Sequence, residues 1–403
     1  PLCQYVGKTS VCLVEKGDLV KVGQLIGEAQ GDISANIHSS VSGKVVAVER
    51  VMVAHGNYVN SVIIDNDFND TWVELEECKD YSNLSKEEII EKIKKAGVVG
   101  LGGAAFPTHV KLSPEEEIDT LIINAVECEP YISADHRLML EHPDEIINGI
   151  SIAKKVLNAK NVIIGIEDNK PDAIALLSDK VKDLEGFSVM SFPVVYPQGG
   201  EKQLIYAATK RKVKIGKLPA SVGVIVLNVA TCFAIYEAVR YGKPVVERIV
   251  TIAGNFDKPK NLKVRIGTPV EEIVREAGGL KDSTKMIVMG GPMMGEPIIR
   301  KDIPLTKGYS GIIALEEAYS DAEELPCIRC GRCGYNCPMK LSPSEIDRNV
   351  RNKKILDNEK YQVMSCIECG VCSWSCPSKR RLTQSCKLSK YYIKQKNSKK
   401  MKG

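Results

Sequence analysis

The chain has 403 residues, which exceeds the size of a single hydrophobic core and predicts more than one domain. Its apolar fraction of 44% predicts packed globular domains and excludes a largely disordered protein. The formal net charge of +4 is small for this length and gives no case for a nucleic-acid-binding protein.

No segment is long and apolar enough to predict a transmembrane helix. The longest apolar run, residues 222–239, is interrupted by Asn228, Thr231 and Glu237, whereas a membrane span needs about 20 mostly apolar residues. We therefore expect no membrane span in this chain, and we identify no signal peptide. Since the sequence begins at Pro1 and not at a methionine, we expect further residues to precede it.

Residues 1–65 are rich in valine, isoleucine and glycine and predict short β-strands. Residues 17–27 fit a strand, a turn and a second strand, and residues 39–48 repeat the pattern. These runs resemble the barrel-sandwich fold of biotinyl and lipoyl carrier domains. Carriers present a modifiable lysine on the hairpin between their halves, but residues 29–38 contain none. We therefore expect the fold without the carrier function, as a structural or docking module.

Strand and helix patterns alternate from residue 85 to residue 241. Ser85 and Glu88 have the spacing of a capping box, which predicts a helix through Ala96. The alternation predicts an α/β domain with a largely parallel sheet. We expect strands at 120–125, 162–166, 188–195 and 224–229, and helices at 144–157, 172–184, 201–210 and 231–241.

The pattern changes after residue 245. Strands at 247–253, 262–266 and 286–289, with a helix at 270–277, predict a small β-grasp unit. The tail from Lys387 onward carries seven lysines and no acidic residue. It predicts a frayed, solvated end; the alternative is docking to anionic lipid headgroups or to an acidic partner.

Two cysteine runs near the C-terminus carry the strongest signal. Both read C-x2-C-x2-C-x3-C-P, at residues 327–338 and 366–377. This is the run of bacterial two-cluster ferredoxins, in which the fourth cysteine binds the other cluster. Zinc usually takes two C-x2-C pairs separated by a longer loop, so it fits poorly. We expect two [4Fe–4S] clusters bound by Cys327, Cys330, Cys333, Cys337, Cys366, Cys369, Cys372 and Cys376. The other six cysteines are scattered, which indicates a reducing compartment.

A glycine-rich loop at residues 97–103 is the second strong feature. Gly97, Gly100, Gly102 and Gly103 fall within seven residues, and glycines let backbone N–H groups approach a ligand closely. A helix precedes the loop where a dinucleotide-binding motif requires a strand, and no Gly-Lys-Ser/Thr follows as in a Walker loop. By itself the loop fits a tight helix-to-loop connection equally well.

Polar residues follow three of the predicted strands, at the edge where open α/β sheets bind ligands. These segments are 124–130 (Asn-Ala-Val-Glu-Cys-Glu-Pro), 196–201 (Tyr-Pro-Gln-Gly-Gly-Glu) and 228–231 (Asn-Val-Ala-Thr). The last two open helices, whose N-termini favour phosphate. Amides and hydroxyls that converge there can hydrogen-bond the edge of a flavin ring.

The glycine loop and these segments, in this order and at similar spacing, resemble the flavin-carrying subunit of respiratory complex I. They are still more similar to the C subunit of the Rnf electron-transport complex. That family also has the barrel-sandwich module, a β-grasp unit and two C-terminal ferredoxin runs, so the resemblance covers almost the whole chain. It implies non-covalently bound FMN, which exchanges hydride with NAD(H) and single electrons with clusters.

The resemblance also implies roles for individual residues, and none of them is a catalytic acid or base. The cofactor-binding residues would be Gly100, Gly102, Gly103, Lys111 (at the FMN phosphate), Asn124, Glu127, Tyr196, Gly199, Gly200, Asn228 and Thr231. The residues facing NAD(H) would be Phe106, Glu129 and Glu201. Complex I has an arginine at the position of Leu101 and an aspartate at that of Val126, so two contacts differ here.

We expect six segments in chain order. They are a barrel-sandwich module at 1–65, an FMN- and NAD(H)-binding Rossmann-like α/β domain at 66–244, a soluble-ligand-binding β-grasp domain at 245–300, a connector at 301–325, a helical two-cluster ferredoxin domain at 326–389 and a basic tail at 390–403.

The function implied is that of the NAD(H)-binding flavo-iron–sulfur subunit of a membrane-associated ferredoxin:NAD⁺ oxidoreductase, with ion transport in partner subunits. The chain would be peripheral at the cytoplasmic face of the cell membrane, and a ferredoxin is a candidate partner. One alternative is a soluble NADH-dependent cobalamin reductase of a microcompartment, which has similar cofactors. A second is a ferredoxin-like carrier or scaffold with a vestigial nucleotide fold, which predicts no bound flavin.

Overall fold

The computed structural model of the chain describes residues 1–318 and 323–400. The described residues form two compact units. The first comprises Pro1–Val213, Leu218–Gly291 and Glu296–Glu316. The second comprises Lys214–Lys217, Pro292–Gly295 and the described residues from Glu317 onward.

The N-terminal part of the first unit consists of short antiparallel strands. They are β1 (Val11–Cys12), β2 (Leu19–Val20), β3 (Leu25–Glu28), β4 (Ile37–His38), β5 (Gly43–Met52) and β6 (Tyr58–Asn66). They form two small sheets, in the orders β1-β3-β4 and β2-β5-β6. Val22 and Val45 are fully buried between the strands. The strand, turn and strand predicted for residues 17–27 are present as β2 and β3.

The α/β domain follows. Its strands are β7 (Thr120–Ala125), β8 (Asn161–Glu167), β9 (Phe187–Phe192) and β10 (Val224–Asn228). Its helices are α1 (Lys86–Lys95), α2 (Thr108–Lys111), α3 (Ala134–Glu141), α4 (Pro143–Leu157), α5 (Pro171–Val181), α6 (Glu201–Thr209) and α7 (Val229–Tyr241), with 3₁₀ turns at Tyr81–Asn83 and Pro219–Val222. The strands are parallel, in the order β10-β7-β8-β9. The predicted parallel sheet is therefore present, and α3 is an addition that the sequence did not indicate.

Alternate side chains of the central strand β7 enter different hydrophobic layers. Leu121 and Ile123 join a core with α4 and α7, and Ile122 joins a core with α6 on the other face. Helices α4 and α7 pack closely at Gly149, where a Cβ atom would lie 1.9 Å from the carbonyl oxygen of Cys232. The helices therefore cover both faces of the sheet and leave the carboxyl ends of its strands for a site.

A mixed sheet completes the first unit. Its strands are β11 (Glu247–Gly254), β12 (Lys260–Arg265), β13 (Met286–Met289), β14 (Glu296–Ile298) and β15 (Gly311–Leu315), with helix α8 (Val270–Glu276). Their order is β12-β11-β15-β13-β14. Because β15 pairs with both β11 and β13, the expectation of a plain connector at 301–325 is wrong for its middle part. Residues 319–322 of that segment lie outside the described residues.

The second unit is helical around the cysteine runs. Its helices are α9 (Arg332–Tyr335), α10 (Pro343–Arg351), α11 (Val371–Trp374) and α12 (Leu382–Lys400), with 3₁₀ segments at Ile355–Tyr361 and Val363–Ser365. Helix α12 contradicts the expectation of a frayed tail, since Ser389 and Ile393 on it are buried. Residues 401–403 lie outside the described residues.

Within residues 1–318 and 323–400, no helix has both the length and the apolar character needed to cross a bilayer.

Candidate functional site

The glycine loop begins where α1 ends. The N-cap Ser85 and Glu88 form the predicted capping box at the start of this helix. In the loop, the amide of Gly100 donates to the carbonyl of Phe106 at 2.8 Å, which closes the turn. A Cβ atom added at Gly100 would meet nothing closer than 3.6 Å, and one at Gly103 nothing within 4 Å. The loop therefore borders open space that a bound group can occupy.

The start of α7 lies directly against this loop. The amide of Leu101 donates to the hydroxyl of Thr231 at 2.9 Å, and Thr231 is fully buried. Asn228 caps α7 by accepting from the amide of Ala230 at 2.9 Å. A Cβ atom at Gly102 would lie 2.8 Å from the Asn228 side chain, so only glycine fits there without displacing the cap.

The loop after β9 joins the same edge of the sheet. The side-chain amide of Asn124, on β7, donates to the carbonyl of Gly199 at 2.8 Å. The hydroxyl of Tyr196 donates to Glu129 at 3.3 Å. In the described structure the side-chain nitrogen Nε2 of Gln198 is buried without a hydrogen-bond partner, an unsatisfied donor of the kind that a ligand satisfies.

Lys111 and Glu201, assigned to different ligands from the sequence, form an ion pair. The Lys111 ammonium lies 2.7 Å from the Glu201 carboxylate, and both side chains are partly exposed. Glu201 is the first residue of α6, and Gly200 is its N-cap. A phosphate bound by Lys111 would therefore compete with this carboxylate or share the ammonium with it.

Glu127 is held by the helix that the sequence did not indicate. Its carboxylate accepts from the backbone amides of Asp135 at 2.6 Å and His136 at 3.1 Å, in the first turn of α3. Burial, and then the nearby charge of Asp135, raise the pKa of Glu127 to about 8. Burial also raises the pKa of Asp135, which accepts from Asn228 at 2.6 Å. The raised pKa values of these two carboxyl groups therefore favour their protonated forms, next to the N-cap of α7.

Arg248, on β11, is a buried cation behind the glycine loop. Its guanidinium donates to the carbonyls of Leu101, at 3.0 Å, and of Lys307. Burial lowers its pKa to about 10, so it stays charged at neutral pH. Lys307 in turn donates to the carbonyls of Gly97 at 2.7 Å and Asn36 at 3.1 Å. Arg248 supports the loop from β11, and Lys307 supports it from a turn that precedes β15. No local motif could indicate these long-range contacts.

Phe106 is half-buried within the loop, beside Pro107, which leads into α2. The two positions that depart from complex I are both core residues. Leu101 is 4% exposed and Val126 is fully buried. The structure thus gathers the glycines, Asn124, Glu127, Asn228 and Thr231 into one region.

In the second unit the cysteines line two cavities in crossed sets. A cavity of about 430 Å³, which we call the first cavity, is lined by Cys327, Cys330, Cys333 and Cys376. A smaller cavity of about 20 Å³, the second cavity, is lined by Cys337, Cys366, Cys369 and Cys372, together with Cys386. Each set takes three cysteines from one run and the fourth from the other, as two-cluster ferredoxins do.

These cysteine sets have the donor chemistry that an iron–sulfur cluster would need. The part of the chain that the structure describes has no group of three or more Cys, His, Asp or Glu placed to hold a single metal ion. Four thiols spread around a cavity match a cubane, in which each thiolate binds a different iron atom. Cys386 was not indicated by its spacing; its thiol hydrogen-bonds Cys366 and lowers the pKa of Cys366 to about 7.

Comparison with family models divides the first unit in the expected order. Residues 1–69 match the RnfC barrel sandwich hybrid domain, residues 93–237 match the Nuo51 FMN-binding domain, and residues 249–297 match the SLBB domain. The chain is 44% identical to the C subunit of the proton-translocating ferredoxin:NAD(+) oxidoreductase complex of Clostridium ljungdahlii, over 98% of this chain and 87% of that protein. The chain belongs to the family of Rnf complex C subunits.

Other relatives agree with this membership. The chain is 42% identical to the C subunit of the ion-translocating oxidoreductase complex of Rhodobacter capsulatus, over 87% of this chain and 69% of that protein. It is 40% identical to the C subunit of the Na(+)-translocating ferredoxin:NAD(+) oxidoreductase complex of Acetobacterium woodii, over 88% and 82%. The predicted family resemblance is confirmed.

A solved structure supports the fold alone. A chain from the crystal structure of an NAD⁺-reducing [NiFe]-hydrogenase in the air-oxidized state aligns with a TM-score of 0.52 at 17% identity. The alignment covers 68% of this chain and 54% of that one. The barrel-sandwich, FMN-binding and β-grasp parts of the predicted fold class are thus confirmed, and the two clusters stay a prediction.

Proposed function

We propose that this chain is the NAD(H)-binding flavo-iron–sulfur subunit of an ion-translocating ferredoxin:NAD⁺ oxidoreductase complex. It would relay electrons between NAD(H) and partner subunits, with FMN and two [4Fe–4S] clusters as resident cofactors. Ion transport would belong to the partners, and the chain would sit peripherally at the cytoplasmic face of the cell membrane. The relatives named above carry the same activity in their names.

One observation carries this proposal. A single chain combines a matched FMN-binding domain with a unit in which the eight cysteines of the two runs line two cavities, four at each. A flavin exchanges two electrons with NAD(H) and one at a time with iron–sulfur clusters, which is the conversion this pairing serves. A carrier or scaffold with a vestigial nucleotide fold would not require the open space beside Gly100 and Gly103, which we call the cradle.

The residues that fit FMN are those around this cradle. Gly100 and Gly103 leave the space free. We propose that Asn228 and Thr231, at the start of α7, bind FMN from this side. Lys111 supplies a cation for the phosphate. We also propose that Asn124, Glu127, Tyr196, Gly199 and Gly200 complete the site and that Phe106, Glu129 and Glu201 face NAD(H). The role of these side chains is to bind, orient and exclude water, since hydride transfer needs no general base.

Iron and flavin content of anaerobically purified protein tests the proposal. We expect one FMN and about eight iron atoms per chain, the content of two four-iron clusters. Cys369→Ala should lose about half of the iron, because Cys369 belongs to the second crossed set. Cys386→Ala is the matched control, since Cys386 lines the same cavity but lies outside the runs; it should keep all the iron. Full iron in Cys369→Ala, or protein without flavin, would contradict the proposal.

Co-purification separates this function from that of a soluble cobalamin reductase with similar cofactors. A subunit of an ion-translocating complex is expected to purify with integral membrane proteins after mild detergent extraction. Recovery only with soluble protein shells would contradict the membrane complex while leaving the cofactor assignment intact.

A further inference from the structure

The two cysteine runs differ at equivalent positions between their cysteines. The first run has Arg329 and Arg332 where the second has Glu368 and Val371. Glu368 forms an ion pair with Lys390 on α12, and Val371 is 8% exposed. The loops of the second run are thus neutralised and covered, whereas those of the first carry two positive charges.

The same difference holds for the cysteines themselves. Cys327 and Cys330 of the first run are exposed, while their counterparts Cys366 and Cys369 are half-buried and buried. Ile328, between the two exposed cysteines, is 67% exposed. An electron carrier can therefore approach Cys327 and Cys330 of the first run more closely than Cys366 and Cys369 of the second.

Within residues 1–318 and 323–400, the arginines of the first run form no ion pair with a carboxylate. Arg329 lines the first cavity together with three arginines that form ion pairs: Arg348 with Glu345, Arg351 with Glu324, and Arg380 with the buried Asp347. Among the described residues, neither Arg329 nor Arg332 has such a partner. Both are exposed, so their charge is directed to solvent.

Charge is also segregated along the chain. Residues 323–400 contain 17 lysines and arginines but seven aspartates and glutamates, although the whole chain is only +4. A surface of one sign raises the rate at which a partner of the opposite sign arrives. The basic residues outnumber the acidic ones by ten (17 against seven), so ion pairs within this segment cannot neutralise all of its positive charges.

We propose that Ile328, Arg329 and Arg332, which we call the basic rim, dock an acidic one-electron carrier protein at the first cavity. The proposal rests on the proposed function, since it takes the first cavity to hold a cluster. Arginines around an exposed apolar residue are the composition of an interface centre. Electrostatic steering suits a redox encounter, which is brief and buries a small area.

A protein carrier fits these residues better than a lipid surface does. The rim lies in the loops that present the cluster cysteines, so its charge orients a partner toward the site of electron transfer. The lysines of α12, by contrast, lie outside these loops. If the two arginines only offset the charge of the thiolates, replacing them would change the rate of cluster reduction by every electron donor, small or large. A comparison of two donors therefore distinguishes that role from docking.

The test measures reduction of the clusters in the cofactor-loaded chain by stopped flow, with two donors. One donor is a reduced, strongly acidic [4Fe–4S] ferredoxin, and the other is a reduced zwitterionic viologen of no net charge. The variant Arg329→Glu/Arg332→Glu reverses the rim. Its control, Lys360→Glu/Lys394→Glu, makes the same charge change at exposed residues that line neither cysteine cavity.

We expect the rim variant to slow reduction by ferredoxin about tenfold or more at low salt, as loss of steering does. High salt should reduce the difference in rate between the wild type and the rim variant, since screening weakens the attraction between ferredoxin and the wild-type rim. The control should stay within about twofold of the wild type, and the viologen should reduce all three proteins alike. Binding of oxidised ferredoxin by surface plasmon resonance should weaken in the same order.

Three results would overturn the proposal: unchanged ferredoxin rate and salt dependence in the rim variant, equal losses with ferredoxin and viologen, or equal losses in the control. Flotation with vesicles containing anionic phosphatidylglycerol gives a further outcome. Loss of vesicle binding with normal ferredoxin transfer would assign the rim to a membrane and overturn it too. If the variant loses iron, Arg329→Gln/Arg332→Gln repeats the test under the same criteria. Wild-type protein without iron would instead contradict the proposed function.

Discussion

At the residue scale, substitutions in the ion pair between Lys111 and Glu201 distinguish two roles of Lys111, a contact with the cofactor and a structural contact. If Lys111 binds the FMN phosphate, Lys111→Ala should weaken FMN binding about tenfold, within the range of a charge-assisted hydrogen bond. Glu201→Gln should leave FMN affinity unchanged or raise it, because it frees the ammonium from its 2.7 Å partner. Fluorescence titration of flavin-free protein measures both affinities.

The control for this experiment is Lys94→Ala, which removes an exposed lysine from α1. Equal losses of FMN affinity in Lys111→Ala and Glu201→Gln would show that only the ion pair matters, and would count against the phosphate role.

Glu127 gives a prediction on pH. Its pKa is raised from the usual value to about 8, so between about pH 4.5 and 8 the folded state binds more protons than the unfolded state. Stability should therefore fall as the pH rises through this window, by up to about 1.4 kcal/mol per pH unit. Glu127→Gln keeps an acceptor for the α3 amides and should flatten this dependence.

Thermal unfolding midpoints of both proteins between pH 5.5 and 8.5 check this expectation. Lys170 and Asp135, which act on Glu127, are present in both proteins. Because the charges of Glu127 and Asp135 interact, the difference between the two curves reports the titration of this carboxyl pair. Parallel curves for the two proteins would contradict the assignment of the proton to this carboxyl group.

The sequence indicated the candidate site residues, whose roles stay a prediction, but it did not indicate the residues that support them. Asn124, Asn228 and Thr231 were predicted because they follow strands, and the parallel register brings strand ends to one edge. Arg248 and Asp135 escaped prediction, because each reaches the site through long-range packing. No spacing within the chain encodes that a guanidinium from β11 will bind the carbonyl of Leu101.

At the element scale, substitutions in the glycine loop show whether it binds a ligand or is a simple turn. Gly100→Ala places a Cβ atom 3.6 Å from its nearest neighbour, an ordinary contact, so thermal stability should hardly change. If FMN fills the open space, its affinity should fall about tenfold, equivalent to about 1.4 kcal/mol. Fluorescence titration and thermal unfolding of the same samples measure the two effects.

Gly102→Ala is the matched comparison on the same loop. Its Cβ atom would lie 2.8 Å from the Asn228 side chain, so this variant should lose both thermal stability and FMN affinity. If Gly100→Ala keeps full FMN affinity, the loop is only a turn and the cradle assignment is wrong.

Elements with strong local signals were predicted closely, and those that depend on distant partners were not. The capping box at Ser85 and the apolar strand Thr120–Ala125 are local, and both occur as expected. Strand Gly311–Leu315 is a short apolar run that periodicity cannot assign; its place between β11 and β13 comes from pairing. The lysine-rich end is helical because Ile393 packs into a small core with Ile346 and Val363.

At the scale of the whole molecule, the chain divides its chemistry between its two units. The first contains the domain matched to FMN binding, and the second contains both crossed cysteine sets. The composition of the whole chain conceals this division, because the small net charge of +4 combines a strongly basic segment at 323–400 with an acidic remainder. Motif order could predict the division, but the exposure of Cys327 and Cys330 and the lower exposure of Cys366 and Cys369 required the structure.

The central claim is that one chain converts between the two-electron chemistry of NAD(H) and one-electron transfer at clusters. The most direct measurement adds NAD⁺ anaerobically to photoreduced, cofactor-loaded protein and follows NADH formation and the cluster signals together. We expect one NADH for every two electrons withdrawn, reoxidation of the clusters, and no NADH from flavin-free protein. Clusters that stay reduced in the presence of NAD⁺, with FMN and iron both at full content, would contradict it.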